Sequence, residues 1–375
     1  MHEYQQKDIL KIAKRINNDR RPYLLVNPLQ AKHIPVSPSE ALQMMTKLGE
    51  LVAAKHTDTR LVVGFAETAT AIGAVVAKTI SDECLYIHTT RELVRNAKEY
   101  VLFSEEHSHA TEQKIVADNL DSLFSKTETI VFVDDEFSTG KTLINMINCL
   151  RVRYPEIGEK RIVAASIINR LSADNLRRWH NEGIESVCLL KLDDTDYSSA
   201  VGSITVDAAA SPEENDGVGM ASVLVQNLPD PRSGVIISDY YESCVGIIDL
   251  VKRNSSLCDK DVLILGTEEC MLPALLVGKA IEDSKAASIV KCHATTRSPI
   301  GVSNIPGYPI ESGYRIRSLY DPQRDSFIYD LSSYDVAVII SDAKREYDQG
   351  LSELSRILKD FGCKEILCLV GVADV

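Results

Sequence analysis

The sequence predicts an α/β protein built on mostly parallel, buried sheets and organised as two domains in tandem. Three observations carry this reading. Short apolar, β-branched runs alternate with longer helix-period segments. The alternation lapses once, near the middle of the chain, into loop composition. Landmarks of the first half then recur in order in the second.

In the first half the runs Tyr23 to Val26, Leu61 to Val63, Leu85 to His88, Ile130 to Val133, Ile162 to Ile168 and Val187 to Leu192 read as strands. Helix-period segments lie near Ser39 to Ala54, Ala69 to Thr79, Thr111 to Leu123, Lys141 to Val152 and Ser172 to Asn181. After Val206 the composition turns to Pro, Gly, Asp and Ser, so the expected division is a first domain over 1–206, a linker over 207–233 and a second domain over 234–375. The second half resumes with strands at Val235 to Ile237, Val262 to Leu265, Ser288 to Lys291, Val336 to Ile340 and Ile366 to Val370.

The two halves align by landmark. Leu61-Val-Val-Gly-Phe-Ala-Glu-Thr matches Leu263-Ile-Leu-Gly-Thr-Glu-Glu-Cys, and each is followed by a helix, a strand and Thr-Thr-Arg, at Thr89 to Arg91 and Thr295 to Arg297. The separation from Gly64 to Arg91 is 27 residues and from Gly266 to Arg297 it is 31; Arg91 to Asp134 and Arg297 to Asp342 are 43 and 45 apart. The order predicts a duplicated fold.

Composition excludes several function classes. A formal charge of −13 opposes non-specific nucleic-acid or anionic-membrane binding, so a phosphate ligand has to be gripped locally. No run approaches the ~18 apolar residues of a membrane span. Nine cysteines, an odd number with no Cys-x-x-Cys, sit mostly in apolar runs and read as buried free thiols. With Glu3, Asp8 and Asp19 near the start and no continuous apolar stretch there, the expected location is the cytoplasm.

The most informative segment runs from Thr129 to Leu143: an apolar strand, the acids Asp134, Asp135 and Glu136, a short polar loop with Gly140, then a helix. A loop between strand and helix aims backbone N–H groups and a helix N-terminus at one point. Ser138, Thr139 and Thr142 add hydroxyl donors, which suits a phosphate dianion. Asp134 and Asp135 are placed to accept hydrogen bonds from sugar hydroxyls, and the combination describes a ribose 5-phosphate site. A nucleotide-triphosphate loop needs glycine five residues before Gly140, where Asp135 stands instead.

Val133-Asp-Asp-Glu-Phe-Ser-Thr-Gly-Lys-Thr142 resembles the 5-phosphoribosyl-1-pyrophosphate (PRPP) loop of type I phosphoribosyltransferases. Gly64-Phe-Ala-Glu-Thr-Ala-Thr-Ala-Ile-Gly73, His88-Thr-Thr-Arg91, Ser104-Glu-Glu-His-Ser-His-Ala-Thr111 and Thr296-Arg-Ser-Pro299 resemble the orotate-phosphoribosyltransferase-like enzymes of tellurium-resistance gene clusters, whose C-terminal domain is named for a Thr-Arg-Ser-Pro motif. The resemblance implies a type I phosphoribosyltransferase fold followed by a second, degenerate α/β domain of the same kind. It implies that Asp134 and Asp135 hold the ribose hydroxyls, that Glu136, Phe137, Ser138, Thr139, Gly140, Lys141 and Thr142 form the 5-phosphate loop, and that Ala66, Glu67, Thr68 and Ala69 meet the pyrophosphate, with Gly64 permitting the turn and Arg91 neutralising charge. Mg²⁺ would be held mainly by PRPP, without dedicated protein ligands.

Residues 92–110 fall where such enzymes carry a flap, with Arg95, Lys98, His107 and His109 as candidates. The pair His107 and His109 admits a metal, an acid–base or phosphate role, or a solvated loop. Asn169 and Arg170 line an acceptor pocket or cap a strand, and Trp179, in a helix-period run, reads as core. In the second half Glu268, Thr296, Arg297 and Ser298 are candidates for an anion site, against helix-cap and packing roles, while Asp342-Ala-Lys-Arg-Glu-Tyr347 replaces the phosphate loop. The expected activity is Mg²⁺-dependent transfer of phosphoribosyl from PRPP to a base-like nitrogenous acceptor in a tellurium-resistance or stress-linked pathway. The alternative is a PRPP sensor without turnover. A homodimer is the expected assembly at most.

Overall fold

A computed structural model of the chain describes residues 3–104, 113–212, 221–226, 228–343 and 348–372. By internal packing the chain forms two compact units, a middle unit of Gln43–Thr195 with Pro229–Tyr240, and a flanking unit of Met1–Leu42, Asp196–Leu228 and Tyr241–Val375.

The middle unit is built on strands β1 (Thr59–Gly64), β2 (Leu85–His88), β5 (Thr129–Phe137), β6 (Arg161–Asn169) and β7 (Ile184–Lys191), while β3 (Tyr100–Phe103) and β4 (Gln113–Val116) pair antiparallel as a separate hairpin. The sheet order is β2-β1-β5-β6-β7, all parallel. The buried stretches 61–63 of β1, 130–133 of β5 and 162–165 of β6 are continuously apolar, as a sheet covered on both faces requires. Helix α1 (Thr70–Ile80) is buried throughout Thr70–Ala77, its small residues lying close on the sheet.

The expected helix over 111–123 is corrected: Gln113–Val116 is a strand, and only Leu120–Ser125 is helical. Buried Val101 and Phe103 flank exposed Leu102, and the β-branched Ile115 and Val116 are buried opposite them, a strand pattern that a helix-period reading misses. Val235–Ile236, expected in the second sheet, instead pairs antiparallel with β2 at the edge of the first.

The flanking unit carries β8 (Ala221–Gln226), β9 (Asp261–Gly266), β10 (Ile289–Ala294), β13 (Val336–Ser341) and β14 (Glu365–Val372), in the parallel order β10-β9-β13-β14-β8. Strands β11 (Gly313–Arg317) and β12 (Asp325–Tyr329) form an antiparallel hairpin between β10 and β13 in the chain, as β3 and β4 do between β2 and β5. Four strands of each sheet thus follow one order; the fifth differs, coming from before the others in the flanking unit, and the middle unit adds Val235–Ile236 at its edge. That fifth strand, β8, lies inside the stretch of linker composition, where Ser-Val-Leu-Val supplies the β-branched residues that pair with β14. The N-terminal strands Lys11–Lys14 and Tyr23–Val26 pair antiparallel, and Ala13 and Val26 share a core with Ile300, Tyr308, Ile310 and Tyr329.

None of the nine cysteines is joined in a disulfide; six are buried, but Cys149 and Cys188 are half-buried and Cys258 is exposed, because Cys258 precedes a polar turn rather than sitting in an apolar run. Among the described residues no helix is long and apolar enough to cross a membrane.

Candidate active site

In the middle unit the chain runs from β1 through α1 to β2 on one side, and β5 lies on the other side of β1. The order reverses between β1 and β5, and a crevice opens beyond the carboxyl ends of strands at such a point. Gly64, the last residue of β1, is level with Val133, and Phe65 N–H donates to the Val133 carbonyl at 2.9 Å. The segment Ala66–Ala69, which follows β1, therefore lies beside Asp134 and Asp135 in the last part of β5. Gly64 acts there by close approach, not by a left-handed turn: a Cβ would meet the Tyr86 hydroxyl at 2.9 Å.

The two segments touch. The Thr68 hydroxyl hydrogen-bonds the Asp135 carboxylate, and the Asp135 and Glu136 N–H groups donate to the side chains of Asp134 and Asp135 at 2.9 and 3.0 Å. Burial, and then the neighbouring Glu136 charge, push the Asp135 carboxyl above the ordinary carboxylate range. Glu136 itself turns to Arg170, at 3.1 Å in a pair that is almost fully enclosed, and Arg170 N–H donates to the Phe137 carbonyl at 2.8 Å. Asn169 accepts from Leu171 N–H and Lys191 Nζ. Arg170 and Asn169 thus brace the end of β5 and β6.

Beyond Phe137 the loop Ser138–Gly140 leads into helix α2 (Lys141–Arg153), with Ser138, Thr139 and Thr142 half-buried and Lys141 exposed. Gly140 caps the helix at φ +73°, where side chains are disfavoured, and a Cβ there would lie 2.4 Å from Trp179 Nε1. Trp179 is core, as read: it is 1% exposed, packs edge-on against Phe137 at 5.0 Å and donates its indole N–H to the Gly140 carbonyl at 3.4 Å. It forms the floor of the loop.

The Ala66–Ala69 segment has a cis Ala66–Glu67 peptide, and only Thr68 in it is half-exposed. Arg91 follows Thr89 and Thr90 at the end of β2 and is half-buried, while Arg95 and Lys98 are exposed on the approach to β3. His107 and His109 lie outside the described residues. Sequence reasoning missed Gln113, the buried first residue of β4, which bonds both Thr89 and Ala66. Its only signal was a polar residue at a core-facing place in a short apolar run.

In the flanking unit the corresponding segment is filled by its own side chains. The Glu268 carboxylate, 1% exposed, accepts from Ser318 Oγ at 2.6 Å and Arg324 Nη2 at 2.7 Å, with Arg297 Nε at 3.6 Å. Arg297 also pairs with Glu269 at 3.1 Å. Tyr320, from the β11–β12 connection, donates to the Thr267 carbonyl and to Asp342. Thr296 pairs with Phe327 as a backbone bridge and its hydroxyl accepts from Ser298 N–H. Residues Lys344 to Tyr347 lie outside the described residues.

Residues 9–191 match the family model described as phosphoribosyl transferase, and residues 245–358 match the model of the TRSP domain, C-terminal to that family's domain. Among solved structures, the chain is similar to an adenine phosphoribosyl transferase from Trypanosoma brucei (13% identity, TM-score 0.36, 48% of this chain and 76% of that one). It is similar also to one from Leishmania donovani (14%, TM-score 0.36, 50% and 78%) and to an orotate phosphoribosyltransferase from Aeropyrum pernix (19%, TM-score 0.28, 43% and 76%). No curated protein matches. By its two family matches the chain carries a phosphoribosyltransferase domain, an enzyme domain of α/β fold, followed by a TRSP domain.

Proposed function

We propose that the middle unit transfers the 5-phosphoribosyl group of PRPP to a nitrogenous, base-like acceptor with release of pyrophosphate. The observation that carries this is the junction of the two loops: Ala66–Ala69 and Asp134–Thr142 leave adjacent strands at the reversal of strand order and are tied by Thr68 to Asp135. In this reading Ser138 to Thr142 take the 5-phosphate on N–H and hydroxyl donors over the Trp179 floor. Asp134 and Asp135 accept from the ribose hydroxyls, and Ala66–Ala69 with Arg91 meet the pyrophosphate. As the C1–O bond breaks, the two carboxylates face a ribosyl centre of growing positive charge, and Arg91 faces a leaving group of growing negative charge.

Among the described residues no group of three His, Cys, Asp or Glu closes around a metal. The oxygen donors at hand, Asp134 and Asp135, suit a hard ion that keeps most of its ligands from water and phosphate. Mg²⁺ bound to the diphosphate would neutralise leaving-group charge, with Asp134 or Asp135 as its protein contact at most.

The flanking unit we read as a related domain without donor binding, since Glu268, Arg297, Arg324 and Tyr320 occupy its crevice. We further place the reaction in the cytoplasm and, on the resemblance in its motifs, in a tellurium-resistance or stress-linked step. Comparing tellurite tolerance of cells carrying the intact chain and the Asp134→Asn chain tests that placement.

The activity test incubates the full chain with PRPP, Mg²⁺ and a panel of nitrogenous bases and reads released pyrophosphate. Release with at least one base is expected. PRPP binding without release across the panel favours a sensor, and absence of both binding and release defeats the reading altogether.

A further inference from the structure

Both backbone polar groups of Ala66 are held by side chains from other elements. Its N–H donates to Thr89 Oγ1 at 2.9 Å, and its carbonyl accepts from Gln113 Nε2 at 2.9 Å. The ring closes where the Thr89 hydroxyl donates to Gln113 Oε1 at 2.6 Å. All three residues are buried, with Thr89 at 0% and Gln113 at 3% exposure. Thr89 is itself anchored, its N–H donating to the Gly64 carbonyl at 2.9 Å. The segment after β1 is therefore tied to the end of β2 and to the first residue of β4.

The flanking unit pins the corresponding residue in the same manner with different chemistry. Glu268 N–H donates to Thr295 Oγ1 at 3.0 Å, and the Glu268 carbonyl accepts from Lys32 Nζ at 2.6 Å. Lys32 also bonds the Thr295 carbonyl at 2.9 Å, and Thr295 N–H reaches the Gly266 carbonyl at 3.1 Å. Two units with one strand order thus restrain the same backbone position through a threonine and a long polar side chain. In the flanking unit the restraint is cationic and accompanies a crevice filled by Glu268. In the middle unit it is neutral, and the amide of Gln113 adds no charge beside an anionic ligand.

We propose that Gln113 is a positioning residue for pyrophosphate recognition: with Thr89 it holds the Ala66–Ala69 backbone in the shape that receives the diphosphate of PRPP, without touching the ligand itself. This rests on reading that segment as the pyrophosphate loop. A buried backbone carbonyl that loses its donor carries a desolvation penalty, and the segment relieves it by moving. The effect belongs to the diphosphate end of the site, because the 5-phosphate loop is held by Trp179 and α2 instead.

The test is calorimetry on the full chain with Mg²⁺ and three probes: PRPP, inorganic pyrophosphate and ribose 5-phosphate. Gln113→Met keeps length and loses both hydrogen bonds; Thr89→Val keeps shape and loses the hydroxyl; Thr89→Ser restores it. We expect Gln113→Met and Thr89→Val each to weaken pyrophosphate and PRPP about tenfold, the scale of one unpartnered buried backbone group. Ribose 5-phosphate affinity should be unchanged in both, Thr89→Ser should bind like the native chain, and the double variant should be no weaker than the weaker single one, since both disrupt one ring. Undiminished pyrophosphate binding in folded Gln113→Met overturns the proposal, as does an equal loss of ribose 5-phosphate. If Gln113→Met does not fold, the Thr89→Val and Thr89→Ser pair is judged by the same split. A native chain that binds none of the three probes overturns the site reading and the proposal with it, and is told apart because the native chain itself fails.

Discussion

Asp135 sits where Thr68, Asp134 and Glu136 meet. Its carboxyl is raised first by burial and then by Glu136, so it takes up a proton at a pH where an ordinary aspartate is still charged. The charged carboxylate accepts hydrogen bonds from hydroxyls on both oxygens and more strongly than the acid, so PRPP binding should be tightest above this raised pKa and weaken as the pH falls through it. Calorimetric titration of PRPP downward in pH should show that acid limb, and Glu136→Gln should move it to lower pH. Asp134→Asn and Asp135→Asn should each slow pyrophosphate release about 10²-fold or more, with melting temperatures near the native value. Gly140 offers a separate check. An alanine there needs φ +73° and collides with Trp179, so Gly140→Ala should destabilise the chain by about 1–3 kcal/mol and weaken ribose 5-phosphate binding. Because Trp179 is the sole tryptophan and lies under the loop, its fluorescence should respond to ribose 5-phosphate but not to pyrophosphate.

At the scale of elements, the two hairpins show how one topology yields different crevices. In the middle unit β4 offers neutral Gln113 to the segment after β1. In the flanking unit the β11–β12 connection sends Ser318, Tyr320 and Arg324 into the equivalent segment and onto Glu268 and Asp342. A buried carboxylate with two guanidinium partners is held firmly, and removal of one side leaves uncompensated charge. Glu268→Ala should therefore cost about 3–5 kcal/mol in denaturant unfolding, and native protein should bind a single equivalent of PRPP per chain. Two equivalents in the native chain would sink the view that this crevice is closed to the donor. The recurrence of Gly266, Arg297 and Asp342 along the chain was legible in the sequence, while the spatial order β10-β9-β13-β14 was not, because landmarks in chain order do not say which strands lie side by side.

For the whole molecule, the compact units do not follow the division of the chain into halves. The first 42 residues pack with the C-terminal part, and Pro229–Tyr240 returns to the middle unit, where Val235–Ile236 edges the sheet. A fragment of residues 1–206 should consequently be far more sensitive to protease than the full chain; equal resistance would support a boundary near 207. The flanking unit also contains a buried histidine, His293, whose pKa burial lowers from 6.5 to about 4, while Nε2 meets the Tyr329 carbonyl at 2.8 Å. The folded pKa is depressed, so its contribution is complete above about 6.5 and is lost as the pH falls toward 4, of order 3 kcal/mol in all. The melting temperature should fall between pH 7 and 5, and His293→Gln should flatten that fall.

The α/β class and the parallel sheets were legible in the sequence alone, and so was the run of acids, hydroxyls and glycine from Asp134 to Thr142 that joins β5 to α2. Each of these is a local pattern: apolar β-branched runs, helix periodicity, and acids followed by hydroxyls and a glycine within ten residues. Long-range packing was needed to show that Gln113 begins a strand and grips Ala66, that Glu136 is spent on Arg170, that Ala221–Gln226 is an edge strand, and that Glu268 pairs with Arg297 and Arg324 while Arg297 also pairs with Glu269. The physical reason is range. Hydrogen bonds and ion pairs between residues 34 to 56 positions apart depend on strand order and register, and a polar side chain carries no mark in the sequence of the partner that will satisfy it once it is buried.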